Sequence, residues 1–332
     1  MEGMFIAVVV VALVFEYTNG FHDAANAIAT SIATRALRPW QALSLACVLN
    51  IGGALLSTSV AATVAKGIVD SNVVTLQTVL AALVGAIIWN LLTWYYGIPS
   101  SSSHCLIGGM VGSTLATAGT GVQWMKILEK VVVPMLVSPL VGFLGGILLT
   151  VALAWMFRRS PYGKVNRAFK YIQTASASLM AISHGQNDAQ KTMGIILLAL
   201  VTAGHLPKSA DVPLWVKLSC AVVMGLGTMA GGKRIIKTMG MKITELRPAD
   251  GFAAETAASC VLLATGHLGF PVSTTHVITA SIMGVGATHR IRAVRWGITR
   301  AIVIAWVLTL PASAVIGALT AWLFKALAAG MH

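Results

Sequence analysis

Long apolar stretches alternate with short polar segments along the whole chain. A helix needs about 20 apolar residues to cross a bilayer, and most of the stretches reach that length. Two do not, Leu106–Ala118 and Val277–Ala287, and each follows a proline with a run of hydroxyl residues. The pattern predicts an all-α membrane protein whose ten apolar stretches are Met4–Ala33, Trp40–Ala65, Val73–Gly97, Leu106–Ala118, Val131–Phe157, Tyr171–Ala203, Val212–Ala230, Phe252–Gly269, Val277–Ala287 and Ala301–Leu327.

The composition agrees with a membrane location. Of 332 residues, 57% are hydrophobic and only 10% are charged, whereas soluble domains carry about 25% charged residues. The 23 Lys and Arg outnumber the 10 Asp and Glu. In so apolar a chain this excess indicates cytoplasmic loops of a membrane protein rather than a surface for nucleic acid.

Most of the basic residues lie in four loops, which the positive-inside rule places in the cytoplasm. The N- and C-termini are then predicted outside a multi-pass protein of the cell membrane. The segment 158–170 becomes a basic cytoplasmic linker. The basic residues of the four loops are Arg35 and Arg38; Arg158, Arg159, Lys164, Arg167 and Lys170; Lys233, Arg234, Lys237, Lys242 and Arg247; and Arg290, Arg292, Arg295 and Arg300.

This loop assignment predicts two re-entrant hairpins. The loops before Phe252 and after Ala287 are both basic, so the two apolar segments between them must enter the membrane and return. The tip of this hairpin is 271–276. By the same reasoning, a second hairpin enters from outside with its tip at 99–104. Six spans and two opposed hairpins result.

Two motifs recur in the same order. Gly20–Asn26 matches Gly185–Lys191 at an offset of 165 residues, and Pro99–His104 matches Pro271–His276 at an offset of 172. The loop assignment starts one half outside and the other inside. We therefore predict inverted-topology repeats over 1–157 and 171–332, with interrupted helices, as in secondary transporters that bind substrate near the midplane.

The hairpin tips are candidate anion sites. Each proline stops a helix, and the hydroxyl run that follows starts a new one, where free N–H groups and the helix dipole favour an anion. Two such tips meeting at the midplane could hold a tetrahedral oxyanion. Simple helix capping is the alternative. The hydroxyl residues are Ser101, Ser102, Ser103, Ser273, Thr274 and Thr275.

Asp23 and Asp188 lie deep in apolar segments, where a carboxylate is costly and functional by default. We expect Gly20 and Gly185 to break their helices and expose carbonyl oxygens. Together with the amide of Asn26, these are oxygen ligands of the kind Na⁺ uses. Carboxylates beside the anion would favour phosphate, which keeps protons near neutral pH, over sulfate.

These paired motifs resemble the inorganic phosphate transporter (PiT) family, whose repeated signature is Gly-Ala-Asn-Asp-Val-Ala-Asn-Ala. The resemblance covers nearly the whole chain. It implies import of phosphate with Na⁺ or H⁺; a related branch carries sulfate, so a sulfate transporter stays an alternative. The phosphate ligands it implies are Asp23, Asn26, Ser101, Ser102, Ser103, Asn187, Asp188, Ser273, Thr274 and Thr275.

Lys191 is the main departure from that signature, because it replaces the final Asn of the second motif. Our hypothesis is that Lys191 substitutes for one Na⁺ or pairs with Asp188, which favours H⁺ as the coupling ion. The alternative is a lysine that snorkels to the interface. Glu255 resembles a family glutamate near a cation site. The residues expected to couple cations or protons are Asp23, Asn26, Asp188, Lys191 and Glu255.

Other classes of function find little support. The sequence has no P-loop, no nucleophile arrangement and no two histidines at metal spacing with a carboxylate, so we expect no enzyme, cofactor or metal site. An anion channel would line its path with basic groups, whereas the repeated motifs here contain aspartates. A channel is therefore the less favoured alternative. Besides the lipid bilayer, the expected partner is inorganic phosphate, free or as a metal–phosphate complex. A homodimer is an alternative to a monomer.

Overall fold

The computed structural model describes residues 2–329, which fold into twelve helices besides a short 3₁₀ turn at Ile291–Ala293. The predicted halves 1–157 and 171–332 also include residue 1 and residues 330–332, which lie outside the described residues. In chain order the helices are α1 Glu2–Ala33, α2 Pro39–Ala54, α3 Ser59–Gly67, α4 Leu76–Tyr96, α5 Ser102–Ala118, α6 Trp124–Met156, α7 Tyr162–Thr202, α8 Leu214–Ala230, α9 Lys233–Lys242, α10 Pro248–His267, α11 Thr274–His289 and α12 Trp296–Ala329.

The second six helices repeat the order of the first six. Each set has a long helix, a bent pair, a second pair joined by a hairpin tip, and a final long helix. The bends are 68° between α2 and α3 and 63° between α8 and α9. Interrupted helices are confirmed, but the interruption in the first half falls within Trp40–Ala65, which reads as one uninterrupted apolar stretch in the sequence.

Both hairpin tips are made by the same pair of residue types. Gly97 and Gly269 adopt left-handed φ values of 67° and 73° just after α4 and α10. Such a conformation ends a helix and favours glycine. Pro99 and Pro271 follow two residues later and prevent the helix from resuming.

Four helices are long and apolar enough to cross a membrane, namely α1, α4, α6 and α12, and the bent pairs bring the number to six. Helix α4 is thus long enough to span, although the loop charges assign it to a hairpin. Helix α7, a predicted span, has 41 residues and is about 60 Å long. It already includes most of the predicted linker 158–170, which is therefore largely helical.

The prediction that Gly20 and Gly185 break their helices is wrong, because α1 and α7 are continuous through both positions. These glycines permit close packing between the halves. A Cβ added at Gly20 would lie 2.5 Å from the Met224 carbonyl oxygen of α8, and one at Gly185 would lie 2.3 Å from that of Asn50 in α2. The first motif helix of each half thus packs on the bent pair of the other half.

The hairpin helices also pack across the two halves. A Cβ at Gly112 of α5 would lie 1.8 Å from the Ala314 carbonyl oxygen of α12. A Cβ at Gly284 of α11 would lie 2.1 Å from the Phe143 carbonyl oxygen of α6. Small residues at such contacts let helix backbones approach closely in a membrane. The packing brings both hairpin tips to the centre of the molecule.

Candidate functional site

The two hairpin tips meet through their histidines. The ring centroids of His104 and His276 lie 4.8 Å apart, edge to face. The hydroxyl oxygens of Ser101 and Ser273 accept hydrogen bonds from the backbone N–H of these histidines, each at 3.2 Å. Ser101 and Ser273 are therefore N-caps, as the capping alternative expected, and the remaining tip hydroxyls stay available for other partners.

Asp188 of α7 is paired with Lys191, one turn later on the same helix. The ammonium nitrogen donates to Asp188 Oδ1 and to the hydroxyl of Ser103, a residue of the first hairpin tip. It also donates to the backbone carbonyl of Val272 in the second tip, at 2.9 Å. The lysine is only 3% exposed. Three oxygen atoms from three segments therefore surround one buried positive charge.

The other carboxylate oxygen of Asp188 lies between the second tip and His184, whose far side contacts α2. Thr274 Oγ1 donates to Asp188 Oδ2 at 2.8 Å. His184 Nε2 lies 3.0 Å from the same oxygen, although its ring is not aligned for a hydrogen bond. The opposite ring nitrogen of His184 lies 3.1 Å from Asn50 Oδ1, and Asn50 donates to Thr228 at 2.9 Å.

Asp23 of α1 has a parallel set of contacts. His22 Nδ1 lies 2.8 Å from Asp23 Oδ1, and His22 Nε2 lies 3.0 Å from Thr93 Oγ1 on α4. Ser100, at the start of the first tip, donates to the same threonine hydroxyl at 2.9 Å. Thr275 Oγ1 donates to Asp23 Oδ1 at 3.3 Å. Each aspartate thus has a histidine neighbour and a threonine from the second tip.

Asn26 connects α1 to that tip directly. Its amide nitrogen donates to the hydroxyls of Thr274 and Thr275, both at 3.0 Å. Because these threonines donate in turn to Asp188 and Asp23, a continuous hydrogen-bond chain joins the two carboxylates.

The two carboxylates and one histidine form a compact ligand group. Single ligand atoms of Asp23, His184 and Asp188 all lie within 4.8 Å of one another, and the three residues are buried. A metal ion could be held there. No metal site was expected from the sequence because no two histidines have metal spacing. That expectation missed the spacing of His184 and Asp188, which stand four residues apart on one helix face.

Several buried polar atoms around the tips have no hydrogen-bond partner in the described part of the chain. An unpaired buried polar group costs about 1–3 kcal/mol, so a cluster of them marks a place for a polar ligand. The atoms are Ser102 Oγ, Asn26 Oδ1, both ring nitrogens of His104, and His276 Nε2.

Asn187 and Glu255 point elsewhere. The Asn187 amide nitrogen donates to the Leu262 carbonyl oxygen at 2.7 Å, so it faces α10 and not the tips. Glu255 is buried and accepts hydrogen bonds from Thr30, Gln173 and Ser176. Thr30 follows Asp23 by two turns of α1. The structure therefore places Glu255 near the helix of Asp23 but about 10 Å along it.

Sequence reasoning missed the polar residues that support the aspartates from other helices, such as Thr93 and Asn50. Each lies between apolar neighbours within an apolar stretch. A polar residue inside a membrane helix was the available signal, but its partner lies more than 70 residues away in the chain.

Comparison with known proteins identifies the family. Residues 19–164 and 158–317 match the family described as "Phosphate transporter family". This chain belongs to the phosphate transporter family. The first matched segment contains the Asp23 motif and the first tip; the second contains the Asp188 motif and the second tip.

Named relatives agree over nearly the full length. A "Probable low-affinity inorganic phosphate transporter" of Mycobacterium tuberculosis is 50% identical over 323 residues, which is 96% of this chain and 76% of that protein. A Bacillus subtilis protein of the same name is 46% identical, covering 95% of both chains. The chain is thus a phosphate transporter and not an enzyme.

A solved structure has the same fold. It is described as "The sodium-dependent phosphate transporter" and superposes with a TM-score of 0.88 at 26% identity, covering 97% of this chain and 99% of the other. The apolar helices and this similarity make the chain a multi-pass membrane protein.

Proposed function

We propose that this transporter imports inorganic phosphate by symport with protons, through alternating access to a site formed by both aspartates and both hairpin tips. The observation that carries the proposal is the position of Lys191. Its ammonium contacts oxygen atoms of Asp188, Ser103 and the Val272 backbone. Oxygen ligands of these kinds are the ones that a Na⁺ ion would use.

A tethered ammonium cannot be exchanged with the solution. The lysine neutralises Asp188 permanently, so no Na⁺ is needed there, and the ion that couples transport must bind at another group. The snorkelling alternative is disfavoured because Lys191 bonds to Asp188 and both tips, and is buried. The related solved structure is described as sodium-dependent, so the experiment must compare Na⁺ with H⁺ as the coupling ion.

Phosphate would bind among hydroxyls and helix N-termini. Ser102 and Ser103 would donate to its oxygens, and Thr274 and Thr275 would do so after their O–H groups turn away from Asp188 and Asp23. Ser101 and Ser273 would hold the tips in shape as caps. A protonated phosphate oxygen would donate to Asp23 or Asp188. Sulfate has no such proton near neutral pH, so carboxylates at this place favour phosphate. The sulfate alternative is kept as an outcome of the test.

The coupling residues would flank this site. Asn26 would hold the threonine hydroxyls in place beside both carboxylates. Glu255 would serve as a further cation- or proton-coupling carboxylate. Asn187 would be a phosphate ligand after its side-chain amide turns from the Leu262 carbonyl oxygen toward the tips.

The proposed transport cycle rests on two inverted halves, 1–157 and 171–332. The repeated order of helices supports this proposal, as does the reciprocal packing in which α1 contacts α8 and α7 contacts α2. Inverted repeats can exchange conformations and so expose one central site to each side in turn. Both termini would lie outside the cell membrane.

Uptake of radiolabelled phosphate into proteoliposomes tests this function. We expect accumulation when an inward proton gradient is imposed without Na⁺, and no reduction by excess unlabelled sulfate. Uptake that requires a Na⁺ gradient would contradict the role of Lys191 while leaving phosphate transport intact. Competition by sulfate would assign the chain to the sulfate branch, and transport without accumulation would indicate a channel.

A metal–phosphate substrate is a second candidate, favoured by the ligand group of Asp23, His184 and Asp188. A divalent ion bound by these residues would enter as cargo together with phosphate. Removal of divalent ions with a chelator decides this point. Uptake that stops and returns with added Mg²⁺ would support the metal complex, whereas unchanged uptake would assign free phosphate as the substrate.

A further inference from the structure

Glu16 is a second buried carboxylate on α1 that the phosphate site does not use. It stands seven residues before Asp23, two helical turns or about 10 Å along the same face. Its exposed fraction is 0%. A carboxylate at membrane depth is functional by default and needs a partner.

The two oxygens of this carboxylate have unequal surroundings. Thr192 of α7 donates to Oε2, and the amide nitrogen of Asn19 lies 3.5 Å from the same atom. Oε1 has no hydrogen-bond partner among residues 2–329, and neither does Asn19 Oδ1. Two buried acceptors without donors therefore lie within one turn of α1.

No described lysine, arginine or histidine comes within ion-pair distance of Glu16. The titratable groups that face it are Asp188 and Lys191 on α7 and Cys220 on α8. Of these, only Lys191 is positive, and its ammonium is bonded to Asp188. An ionised Glu16 would be a buried charge without compensation, which costs several kcal/mol.

A bound proton removes this cost. The O–H of a neutral carboxyl needs an acceptor, and rotation of the Asn19 amide by half a turn would bring its Oδ1 to the place of its nitrogen. A Na⁺ ion fits less well. Helix α1 is continuous here, so its carbonyl oxygens are used within the helix. Among residues 2–329, the side chains in hydrogen-bond contact with Glu16 are those of Asn19 and Thr192, which together with Glu16 make a small oxygen set for Na⁺.

We propose that Glu16 is the proton-binding carboxyl of the transport cycle. This inference rests on the proposed proton symport. The closed arrangement, in which Glu16 is sealed from solvent, is favourable only when the carboxyl carries a proton. When the proton leaves, the charge draws water to Glu16 and the helices around it must separate. Protonation thereby permits closure, and closure carries proton and phosphate across together.

Glu255 differs in a way that supports this division of roles. Its two oxygens accept bonds from three donors, Thr30, Gln173 and Ser176. Such donors stabilise the charged carboxylate. Glu255 therefore suits the cation-coupling part of its proposed role, whereas Glu16, with one oxygen unpartnered, gains more from binding a proton.

The test separates coupling from phosphate movement in proteoliposomes containing the full chain. Two readouts are needed: accumulation driven by a proton gradient, and exchange of labelled for unlabelled phosphate at equal pH on both sides. We expect Glu16→Gln, which mimics the protonated form, to reduce accumulation by about tenfold or more while exchange continues. Glu2→Gln, at the exposed start of α1, is the matched control and should change neither.

The outcomes are distinct. Accumulation by Glu16→Gln at the wild-type level would overturn the inference, because the proton would then be carried by a group other than Glu16. Loss of exchange together with accumulation would assign Glu16 to packing or phosphate binding, and would also overturn it. If the wild type itself accumulates phosphate only with a Na⁺ gradient, the proposed function fails, whatever Glu16→Gln does.

Discussion

The ammonium group of Lys191 donates a hydrogen bond to the carboxylate of Asp188, and both side chains are buried between the hairpin tips. A buried ion pair contributes little net stability, but removal of one partner leaves an uncompensated charge and costs about 3–5 kcal/mol. The effect of replacing either residue on stability therefore depends on whether the other is present.

Replacement of Lys191 by asparagine should change the coupling ion. The Lys191→Asn variant restores the residue of the family signature and leaves Asp188 without a fixed cation. We expect uptake without Na⁺ to fall by about tenfold or more, and added Na⁺ to restore part of it. Phosphate uptake measured over a Na⁺ titration checks this. Lys164→Asn on the exposed part of α7 is the control, and equal Na⁺ independence in both variants would contradict the hypothesis.

Neutralisation of Asp188 alone should destabilise the protein more than neutralisation of both partners. In Asp188→Asn the ammonium of Lys191 stays buried without its counter-charge, so we expect a loss of about 3–5 kcal/mol. The double variant with Lys191→Asn should recover a substantial part of that loss. Thermal unfolding of the purified variants in detergent measures the effect, and additive losses would argue that the pair is not coupled.

Two adjacent serines of the first tip should give different defects. Ser101 caps α5, so Ser101→Ala should lower stability by about 1 kcal/mol. The Ser102 hydroxyl has no partner among the described residues, so Ser102→Ala should leave stability unchanged. Its KM for phosphate should rise by about tenfold, because a donor to the anion is lost. Unfolding curves and uptake kinetics on the same preparations separate the two. A wild-type KM in Ser102→Ala would remove that residue from the site.

Gly20 should tolerate no side chain. The Cβ of Gly20→Ala would lie 2.5 Å from the Met224 carbonyl oxygen, which forces α1 and α8 apart and should cost about 1–3 kcal/mol. Gly52→Ala is the matched control, since a Cβ there meets nothing within 4 Å. Thermal unfolding of both variants is the measurement. Equal stability would mean that the two helices are not held in the described contact.

The helices themselves follow closely from the hydrophobic pattern, and the break between α2 and α3 does not. No proline or charge marks that break. The Ser59 N–H bonds to the Ser57 hydroxyl at 3.2 Å, and the next two N–H groups of α3 bond to Gln190, whose Oε1 accepts from Val60 at 2.8 Å and from Ala61 at 3.3 Å. Because Gln190 lies in the other half of the chain, only the folded packing supplies this cap.

The centre of the site was predictable because its motifs occur twice. The repeated aspartates and hydroxyl tips identify Asp23, Asp188, Thr274 and Thr275, which the structure brings into one hydrogen-bond chain. The role of Gly20 was not predictable in the same way. Glycine permits both a helix break and a close helix contact, and the carbonyl oxygen that decides between them belongs to a distant helix.

Proton movement that accompanies phosphate is the most direct test of proton symport. Proteoliposomes with an internal pH indicator, in Na⁺-free buffer, would receive external phosphate while internal pH and labelled phosphate are recorded together. We expect internal acidification that follows phosphate entry and is weakened in Glu16→Gln. Phosphate entry that needs Na⁺, with no associated proton flux, would contradict it.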